Sequence, residues 1–558
     1  MGTGSSSPPT PEDLNYRIQG DTNDTSLSQS TCAIIPSSPA GSEQIITIWS
    51  SSTTGDLVEG EIDFEDMNET DNPPTVTKKK KCRCCCCRRK HRSLSGNPDE
   101  TCDCEVQDII TLRSADERLI ASEVFPLEMV ASLDLTPAAV QNKPTKKRRT
   151  RVQEKPDRPM SLWNLIKSAI GKDLTKFPLP VNFSEPLSML QRLAEDYEYC
   201  AILDKASVMT DSLEQLASVA AFTVSAYATC ALRTAKPFNP LLGETYEFDR
   251  TDDLGWRCIS EQVCHHPPVA ALHCESAYGW VQWQQFTMTS KFRGNYLEIF
   301  PLGVAHLRFK TSENHYTWRK VTTVVRNLIV GRLYIEQEGD MEILNHSTNE
   351  KCVMKYSAGS MFSRSRQVYG KIFNSSNVPV WELNGTWDID MSATKLDSNG
   401  KPIPDTTRVL WKRNPLPSDA EKYYNFSLFA CQLNEIEDDV APTDTRNRPD
   451  QRFMENGQWD EANVEKTRLE DKQREIRRQR VHDANTKLST NSNLKSIKSA
   501  MPPAHGAVEE GVEPFYTPAW FIKQQDPISG HLIHLYNNEY WECKHKKDWK
   551  RCPKLYDS

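Results

Sequence analysis

The segment VWELNGTW, residues 380–387, alternates apolar and polar side chains over most of its length and is rich in aromatic residues. The segment GRLYIE, residues 331–336, has the same character. Because successive side chains on a β-strand point to opposite faces, both patterns predict strands with one buried face. Similar segments, separated by turn residues at short intervals, recur between Ser161 and about Leu433. The sequence therefore predicts many antiparallel strands in this part of the chain.

Segments with helical periodicity lie on both sides of the strands. The predicted helices span Leu162–Ile170, Leu187–Leu203, Asp211–Ala231 and roughly Asp460–Val481. A barrel of well over eight strands is too wide for side chains alone to fill, so it would enclose a cavity. We therefore expect an α+β fold in which one large β-barrel has helices at its flanks.

The first part of the chain has a different composition. Residues 1–158 are rich in Ser, Thr, Pro, Asp and Glu, with charges in blocks, and the composition changes at Pro159. Such a segment buries too little apolar surface to offset the entropy lost on ordering. We expect a disordered region over 1–158, in which short apolar runs such as residues 45–49 pair transiently, and a folded domain over 159–558.

Bulk composition limits the class of protein. Hydrophobic residues make up 37% of the chain and charged residues 26%, with a formal net charge of −8. This charge argues against a protein that binds nucleic acid. No run of about twenty apolar residues is present, and the first residues lack the pattern of a signal peptide. We expect a cytosolic protein whose 17 cysteines are mostly reduced thiols.

Three polar clusters stand out within and beside the strand-rich region. The first is KPFNPLLGE, residues 236–244, and the second is EQVCHHPP, residues 261–268. The third consists of Lys466, Glu470 and Arg474 on the predicted charged helix. Their i, i+4, i+8 spacing advances about 40° per step, so the three side chains share one helix face.

Each cluster alone has a structural explanation: a rigid turn, structural histidines and a solvated helix face. Adjacent histidines also make a poor zinc pair, because zinc requires further ligands at suitable spacing. In combination the clusters favour a binding site. Lys and Arg supply the donors that phosphate oxygens require, Asn239 offers an amide, and Glu470 would orient the cations. The residues indicate a polyphosphate or phosphoinositide site built from distant parts of the chain.

The sequence EQVCHHPP resembles the E-Q-V-S-H-H-P-P fingerprint of the oxysterol-binding-protein-related family, with Cys264 in place of the usual serine. Residues 161–195, 236–247 and 454–474 resemble further blocks of that family, in the same order. The resemblance extends from Pro159 nearly to the end of the chain. It is closest to the family's short type, which lacks a pleckstrin-homology domain.

The resemblance implies an incomplete antiparallel barrel that encloses a lipid tunnel, with an N-terminal helical lid at about residues 160–190. It implies transfer of lipids between membranes without vesicles, by exchange of sterol for phosphatidylinositol 4-phosphate in one tunnel. Trp163 on the lid would touch the membrane. Carried onto matching positions, the residues that contact the lipid headgroup are Lys176, Lys236, Asn239, His265, His266, Lys466, Glu470 and Arg474.

Other hypotheses remain open beside lipid transfer. The same pocket could serve a sterol and phosphoinositide sensor or scaffold at membrane contact sites, without net transport. A zinc-dependent hydrolase that uses His265 and His266 would carry stoichiometric metal. We see no nucleophile–base pair and no metal-ligand set, so we expect no catalysis, no cofactor and no metal.

The basic run KKKKCRCCCCRRKHR, residues 78–92, contains a cluster of cysteines in its 82–92 part. Cysteines among basic residues resemble S-palmitoylated clusters, in which acyl chains and cations together hold a protein on anionic membranes. Metal binding with Cys102 and Cys104, or neither role, are the alternatives. The acylation candidates are Cys82, Cys84, Cys85, Cys86 and Cys87.

Two further segments resemble targeting motifs. Residues 59–69 resemble the FFAT motif that engages VAP receptors of the endoplasmic reticulum, with Phe64, Asp66 and Glu69 in fitting positions; an acidic disordered patch is the alternative. The run KKRRTR, residues 146–151, fits a nuclear signal or a linker patch close to a membrane. Together these features predict a cytosolic protein that is peripheral at membranes, including contact sites of the endoplasmic reticulum.

Overall fold

The computed structural model describes residues 146–156, 180–328, 332–359, 366–483 and 516–557 with their side chains. It also describes the backbone of residues 484–490 and of four short strands near the N-terminus. The chain divides into two compact units, residues 1–112 and 113–558.

The first unit contains one antiparallel sheet with the order β1-β2-β3-β4. Its strands are β1 Ala33–Pro36, β2 Ile46–Ser51, β3 Leu57–Ile62 and β4 Thr77–Lys80. The apolar run predicted to pair transiently lies at the start of β2. The cysteine cluster lies outside the described residues, as do the side chains of the FFAT-like segment, so acylation, VAP binding and disorder of this region stay predictions.

The second unit contains eighteen described strands and seven described α-helices. The strands are β5 Ser184–Ser188, β6 Lys236–Phe238, β7 Thr245–Arg250, β8 Trp256–His265, β9 Pro268–Ser276, β10 Trp280–Phe292, β11 Leu297–Pro301, β12 Ala305–Phe309, β13 His315–Trp318, β14 Thr322–Arg326, β15 Tyr334–Asn345, β16 Lys351–Tyr356, β17 Gln367–Phe373, β18 Pro379–Thr386, β19 Asp390–Lys395, β20 Arg408–Lys412, β21 Phe521–Gln525 and β22 Leu532–Tyr536. The helices are α1 Met189–Glu195, α2 Ala201–Ala206, α3 Ser212–Ser225, α4 Leu428–Gln432, α5 Pro449–Glu455, α6 Trp459–Thr490 and α7 Tyr540–Lys546.

Fourteen of these strands form one antiparallel sheet with the order β20-β19-β18-β17-β16-β15-β13-β12-β10-β9-β8-β7. The strands β11 and β14 branch from it, because β10 and β15 are long enough to pair with two different neighbours along their lengths. The edge strands β7 and β20 do not pair with each other within the described residues. The prediction of an α+β fold with a large, incomplete antiparallel barrel is confirmed.

Helix α3 packs against one end of this sheet, against β16, β17, β19 and β20. Asp211 caps its first turn by accepting hydrogen bonds from the amides of Leu213 and Glu214. The stretch Ser212–Leu232 is apolar and long enough to cross a bilayer by length and composition, but 78% of that window is buried in the domain. It is therefore a core helix, whose apolar faces are covered by the sheet and its neighbours.

The core between the first helices and the sheet is built from aromatic rings. Tyr197 stacks on Trp280 with ring centroids 5.9 Å apart and lies 5.2 Å from Trp256. Phe248 meets Trp256 edge-to-face at 5.8 Å. The Trp280 indole nitrogen donates to Asp204 at 2.7 Å, so one polar atom of this cluster is satisfied. These contacts fix α1, α2 and the turn between them on β7 to β10. Two of these strands, β8 and β9, are joined by the turn that contains His265 and His266.

The predicted lid, at about residues 160–190, requires a correction at its C-terminal end. Residues 157–179, with Trp163 and Lys176, lie outside the described part of the chain. Residues 184–188, however, form the buried strand β5, which pairs in parallel with β6. Ser188 then caps α1 through a capping box with Gln191. Because this segment is locked into the core, the lid prediction can hold only for residues before it.

The predicted helix Leu187–Leu203 is interrupted. The chain forms α1, a 3₁₀ turn at Asp196–Tyr199 and then α2. The predicted charged helix is present and longer than expected, as α6.

Residues 146–156, here called the basic strap, lie against the domain, so the predicted boundary at residue 158 falls too late. Val152 is buried, and the Lys155 amide donates to the Lys422 carbonyl at 3.1 Å. The Arg149 guanidinium pairs with Glu455 at 2.7 Å. The interpretation of KKRRTR as a linker patch close to a membrane stays a prediction, and in this structure four of its five cations are paired with carboxylates of the folded domain.

Candidate functional site

The first polar cluster forms a loop whose shape is fixed by one carboxylate. Glu244 accepts hydrogen bonds from the Leu241 amide at 2.9 Å and from Arg448 at 3.0 Å. Arg448 also donates to the Asn239 carbonyl at 2.8 Å and pairs with Asp450. These buried contacts hold the backbone of residues 239–244 in one conformation, which presents Asn239 at the surface.

Gly243 is needed at the end of this loop. Its φ of +82° is unfavourable for other residues. A Cβ atom there would also lie 2.5 Å from the Tyr516 hydroxyl and 2.9 Å from a Pro553 ring carbon. The C-terminal segment therefore packs directly against the loop.

The second cluster forms the end of β8 and the tight turn into β9. His265 pairs with Pro268 across this turn, and the His266–Pro267 peptide bond is cis. The two imidazole rings lie edge-to-face with centroids 4.9 Å apart. Within the pair His266 is exposed and His265 is half-buried, so the His266 ring is open to solvent and the His265 ring lies behind it.

A glutamine of α6 joins the first two clusters. The Gln473 side-chain oxygen accepts from the Leu242 amide at 3.0 Å, and its nitrogen lies 2.6 Å from Nε2 of His265. Because an amide nitrogen can only donate, Nε2 accepts and a neutral His265 ring carries its proton on Nδ1. That Nδ1 atom is buried near the Pro240 carbonyl but makes no well-formed hydrogen bond within the described residues.

Both histidines are neutral in the lipid-free protein at physiological pH. Burial, with the neighbouring His266, lowers the pKa of His265 to about 4, although the Pro240 backbone opposes this. Burial and the nearby Arg477 charge lower the pKa of His266. His266 therefore offers a neutral ring N–H donor, and neither histidine adds a fixed positive charge.

The positive charge of the site comes from lysines of two elements. Lys236 on β6 keeps solvent-exposed surface, yet partial desolvation by the surrounding protein lowers the pKa of its ammonium. The charge of Lys466 on α6 lowers this pKa further, and Glu470 opposes the shift. The Lys236 and Lys466 ammonium groups thus lie close enough for their charges to repel each other, and the Glu470 carboxylate offsets this repulsion.

Glu470 lies between the cations of α6. It pairs with the Lys466 ammonium on one side and with Arg474 at 3.3 Å on the other. The exposed fraction of the side chain rises from 17% for Lys466 to 54% for Arg474. The predicted helix face is present, and its inner end at Lys466 faces Lys236, whereas Arg474 lies at the solvent edge.

Predicted site residues from three distant stretches are thus brought together. Lys236, Asn239, the histidine pair and the α6 face line one region, while Lys176 lies outside the described residues. Two residues of the same helix face were missed: Gln473, which binds His265, and Arg477, whose charge reaches both histidines. Gln473 and Arg477 stand seven and eleven positions after Lys466, which places them on the same face of the helix. That spacing is the signal that could have identified them.

The glutamate of the fingerprint has a structural role. Glu261 is fully buried and accepts hydrogen bonds at 2.9 Å from the Tyr516 hydroxyl and from the Ala519 and Trp520 amides. Burial raises the pKa of Glu261 to about 7, and the hydrogen bonds from these three donors oppose the shift. This carboxyl fastens the C-terminal segment to β8, close to the histidine turn, and Cys264 packs against the same C-terminal cluster.

We expect Glu261→Gln to destabilise the domain by about 1–3 kcal/mol, because the new amide nitrogen would face the Trp520 N–H. Between the unfolded pKa near 4.5 and the folded value near 7, the folded wild-type protein binds the extra proton, so this group's contribution to stability falls as pH rises. The deficit of the variant, measured by chemical denaturation, should therefore be larger at pH 5 than at pH 8. A deficit that is independent of pH would contradict this assignment.

The described residues contain no group of three His, Cys, Asp or Glu side chains that could hold a metal ion. The histidine pair, in particular, has an amide and backbone groups as its neighbours. The described geometry favours an anion over a metal ion, because it offers ammonium groups and the neutral His266 ring.

Comparison with known proteins shows which family the chain is similar to. A family model described as oxysterol-binding protein matches residues 161–545. Mouse oxysterol-binding protein 2 is 47% identical over 421 residues, covering 74% of this chain and 44% of the relative. Oxysterol-binding protein homolog 2 of Saccharomyces cerevisiae is 36% identical over 429 residues, covering 72% and 31%. The chain thus spans less than half the length of these two relatives.

Solved structures resemble the domain as well. A crystal structure of the Osh1 ORD domain in complex with cholesterol matches with a TM-score of 0.61 and 35% identity, covering 74% of this chain and 94% of that one. A crystal structure of the Osh3 ORD of Saccharomyces cerevisiae in complex with PI(4)P matches with a TM-score of 0.58 and 31% identity, covering 74% and 99%. The shared fold therefore accepts a sterol in one relative and a phosphoinositide in another.

Proposed function

The chain belongs to the oxysterol-binding protein family, and on that premise we propose that it carries lipids between membranes, binding either one sterol or one phosphatidylinositol 4-phosphate molecule at a time. The observation that carries the proposal is that α6 lies against the His265–His266 turn through Gln473, and so brings Lys466 close to Lys236. These groups come from β6, α6 and the β8–β9 turn, and a phosphate monoester fits their shared charge.

The site suits a phosphate on a sugar ring better than a simple anion. The lysines supply point charges to the phosphate oxygens, and the neutral His266 ring adds a directional N–H donor. Glu470 holds Lys466 in place and offers acceptor capacity to inositol hydroxyls. Asn239 presents an amide at the rim of the same loop. Charge, directional donors and acceptors together match the headgroup of phosphatidylinositol 4-phosphate.

Sterol binding is proposed from the relatives and from the barrel. The Osh1 domain is similar to this domain and is known in complex with cholesterol and with ergosterol. A sterol that buries about 400 Å² of apolar surface gains roughly 10 kcal/mol at about 25 cal/mol per Å². That is enough to hold the lipid away from water. Because sterol and acyl chains would share one cavity, binding of one lipid requires release of the other, and a gradient of one can drive transport of its partner.

The proposed activity consists of binding and releasing lipid, without a chemical reaction. Nothing in the site is arranged to break a bond, so we propose a carrier and not an enzyme. We also propose that the protein acts in the cytosol and attaches to membranes peripherally, with the cysteine cluster as an acylation site and the FFAT-like segment as a contact for VAP receptors.

Transfer between liposomes tests the proposal. We expect sterol to move from donor to acceptor vesicles several times faster when the acceptors contain phosphatidylinositol 4-phosphate. The reason is that a carrier which releases sterol at the acceptor can take up phosphoinositide there and return to the donor with it. Acceptors that contain an equal charge of phosphatidylserine are the control. A sensor or scaffold would bind sterol but move little of it under either condition, and that result would overturn the proposal of a carrier.

A further inference from the structure

Four carboxylates surround one arginine of the basic strap. The Arg148 guanidinium lies 3.0 Å from Asp252, 3.9 Å from Asp253, 3.3 Å from Glu435 and 3.4 Å from Glu437. Only 10% of the Arg148 side chain is exposed. These four carboxylates and Glu455, here called the acidic groove, come from the β7–β8 turn and from the segment between α4 and the end of α5. Asp253 also pairs with Arg250 and Glu455 with Arg452, whereas within the described residues the ion pairs of Asp252, Glu435 and Glu437 are all with the strap, so these three carboxylates would repel one another without it.

The groove binds the strap at several points. The Lys146 ammonium pairs with Glu437 at 2.6 Å, and its amide donates to Asp252 at 3.0 Å. The Arg149 guanidinium donates to the Cys431 carbonyl and pairs with Glu455 at 2.7 Å. Groups of the groove accept hydrogen bonds from both backbone and side-chain donors of the strap. Docking therefore depends on the backbone conformation of the strap as well as on its charge.

Farther along the strap, Arg151 pairs with Asp419 and lies 4.9 Å from the centre of the Tyr423 ring. The strap carries six cationic side chains and one acidic one. Within the strap only Val152 is buried among the described apolar side chains. Docking therefore depends chiefly on charge, and its exposed ion pairs, Lys146–Glu437 and Arg151–Asp419, weaken as salt rises.

We propose that the basic strap is a charge latch, which docks in the acidic groove while the protein is in solution and transfers to an anionic lipid bilayer at a membrane. Each Lys or Arg near such a surface gains free energy from the negative surface potential. The same guanidinium groups cannot occupy the groove and the bilayer together, so docking and membrane binding exclude each other. The groove thus restrains a membrane-binding segment until a sufficiently anionic surface competes for it.

The test uses the full chain and two double variants that change net charge equally. Asp252→Asn with Glu437→Gln removes two groove carboxylates that contact Lys146 and Arg148. Asp438→Asn with Glu342→Gln removes two exposed carboxylates whose described contacts do not include the strap. Circular dichroism melts first establish that both variants are folded.

Two measurements follow. Trypsin should cut the lipid-free groove variant within the strap about fivefold faster than the control variant or wild type, because its docked fraction is lower. In sedimentation with phosphatidylcholine vesicles that contain 20 mol% phosphatidylserine, the groove variant should bind about fivefold more tightly than the control variant. With pure phosphatidylcholine the variants should bind alike.

Equal trypsin cleavage of the groove and control variants would mean that the groove does not hold the strap, and would overturn the proposal. Faster cleavage with equal vesicle binding would also overturn it, because the released strap would then have no affinity for the bilayer, and an acidic protein would be its remaining partner. None of these measurements uses sterol or phosphoinositide, so their failure is separate from a failure of the lipid-transfer proposal.

Discussion

Replacement of both histidines, His265→Ala with His266→Ala, is expected to abolish extraction of phosphatidylinositol 4-phosphate from vesicles and to change sterol affinity less than twofold. The His266 ring supplies a neutral donor near the two lysines, and His265 packs against it and accepts a hydrogen bond from the Gln473 amide. Without the two rings the headgroup loses a directional hydrogen bond from a neutral donor to a charged acceptor, which contributes about 1.5–3 kcal/mol, and Gln473 loses its partner. Extraction of each lipid from labelled vesicles gives the two affinities separately.

The matched control is His531→Ala with His545→Ala, which removes two exposed imidazoles outside the site. It should leave both lipids unaffected. If the variant of the histidine pair loses sterol and phosphoinositide binding equally, the histidines hold the fold together and do not recognise the headgroup.

Substitution of Lys236 is expected to have opposite effects on binding and on stability. Lys236→Met removes one charge-assisted contact to phosphate, so phosphoinositide affinity should fall between about tenfold and a hundredfold. The folded pKa of Lys236 is lowered by desolvation and by Lys466, so its charged form destabilises the lipid-free fold at every pH below that pKa. At pH 7 the lipid-free variant should therefore melt at a higher temperature than wild type.

Lipid extraction and thermal melting on the same preparations check both effects. Lys355→Met, at an exposed position on β16, serves as the control and should change neither quantity. A Lys236→Met protein that keeps its phosphoinositide affinity would show that this ammonium does not bind the phosphate, and one that melts at a lower temperature would show that its charge does not destabilise the lipid-free fold.

Much of the architecture could be predicted from the sequence because each prediction depended on a local pattern. Alternation of side chains identified strands such as β18, and the charged periodicity of α6 placed Lys466, Glu470 and Arg474 on one face. The predicted C-terminal boundary of the lid was wrong because no local pattern marks it. Strand β5 reads SEPLS, which has no alternation and contains a proline, and it is a strand only because β6 lies beside it.

The same distinction separates the site residues that were found from those that were missed. Lys236 and the histidine pair stand in short motifs with unusual composition. Gln473 is one polar residue among many on an exposed helix, and its role appears only when the His265 ring and the Leu242 amide are brought to either side of it. The docking of the strap was missed likewise, because the carboxylates around Arg148 are distant from it in sequence and from one another.

Native mass spectrometry of the full chain with equal amounts of cholesterol and phosphatidylinositol 4-phosphate shows whether one cavity accepts either lipid. We expect three masses: the free protein, the protein with one sterol and the protein with one phosphoinositide, with the proportion of the last reduced in the Lys236→Met variant. A species that carries both lipids at once would mean that the two lipids bind in separate places and do not exchange.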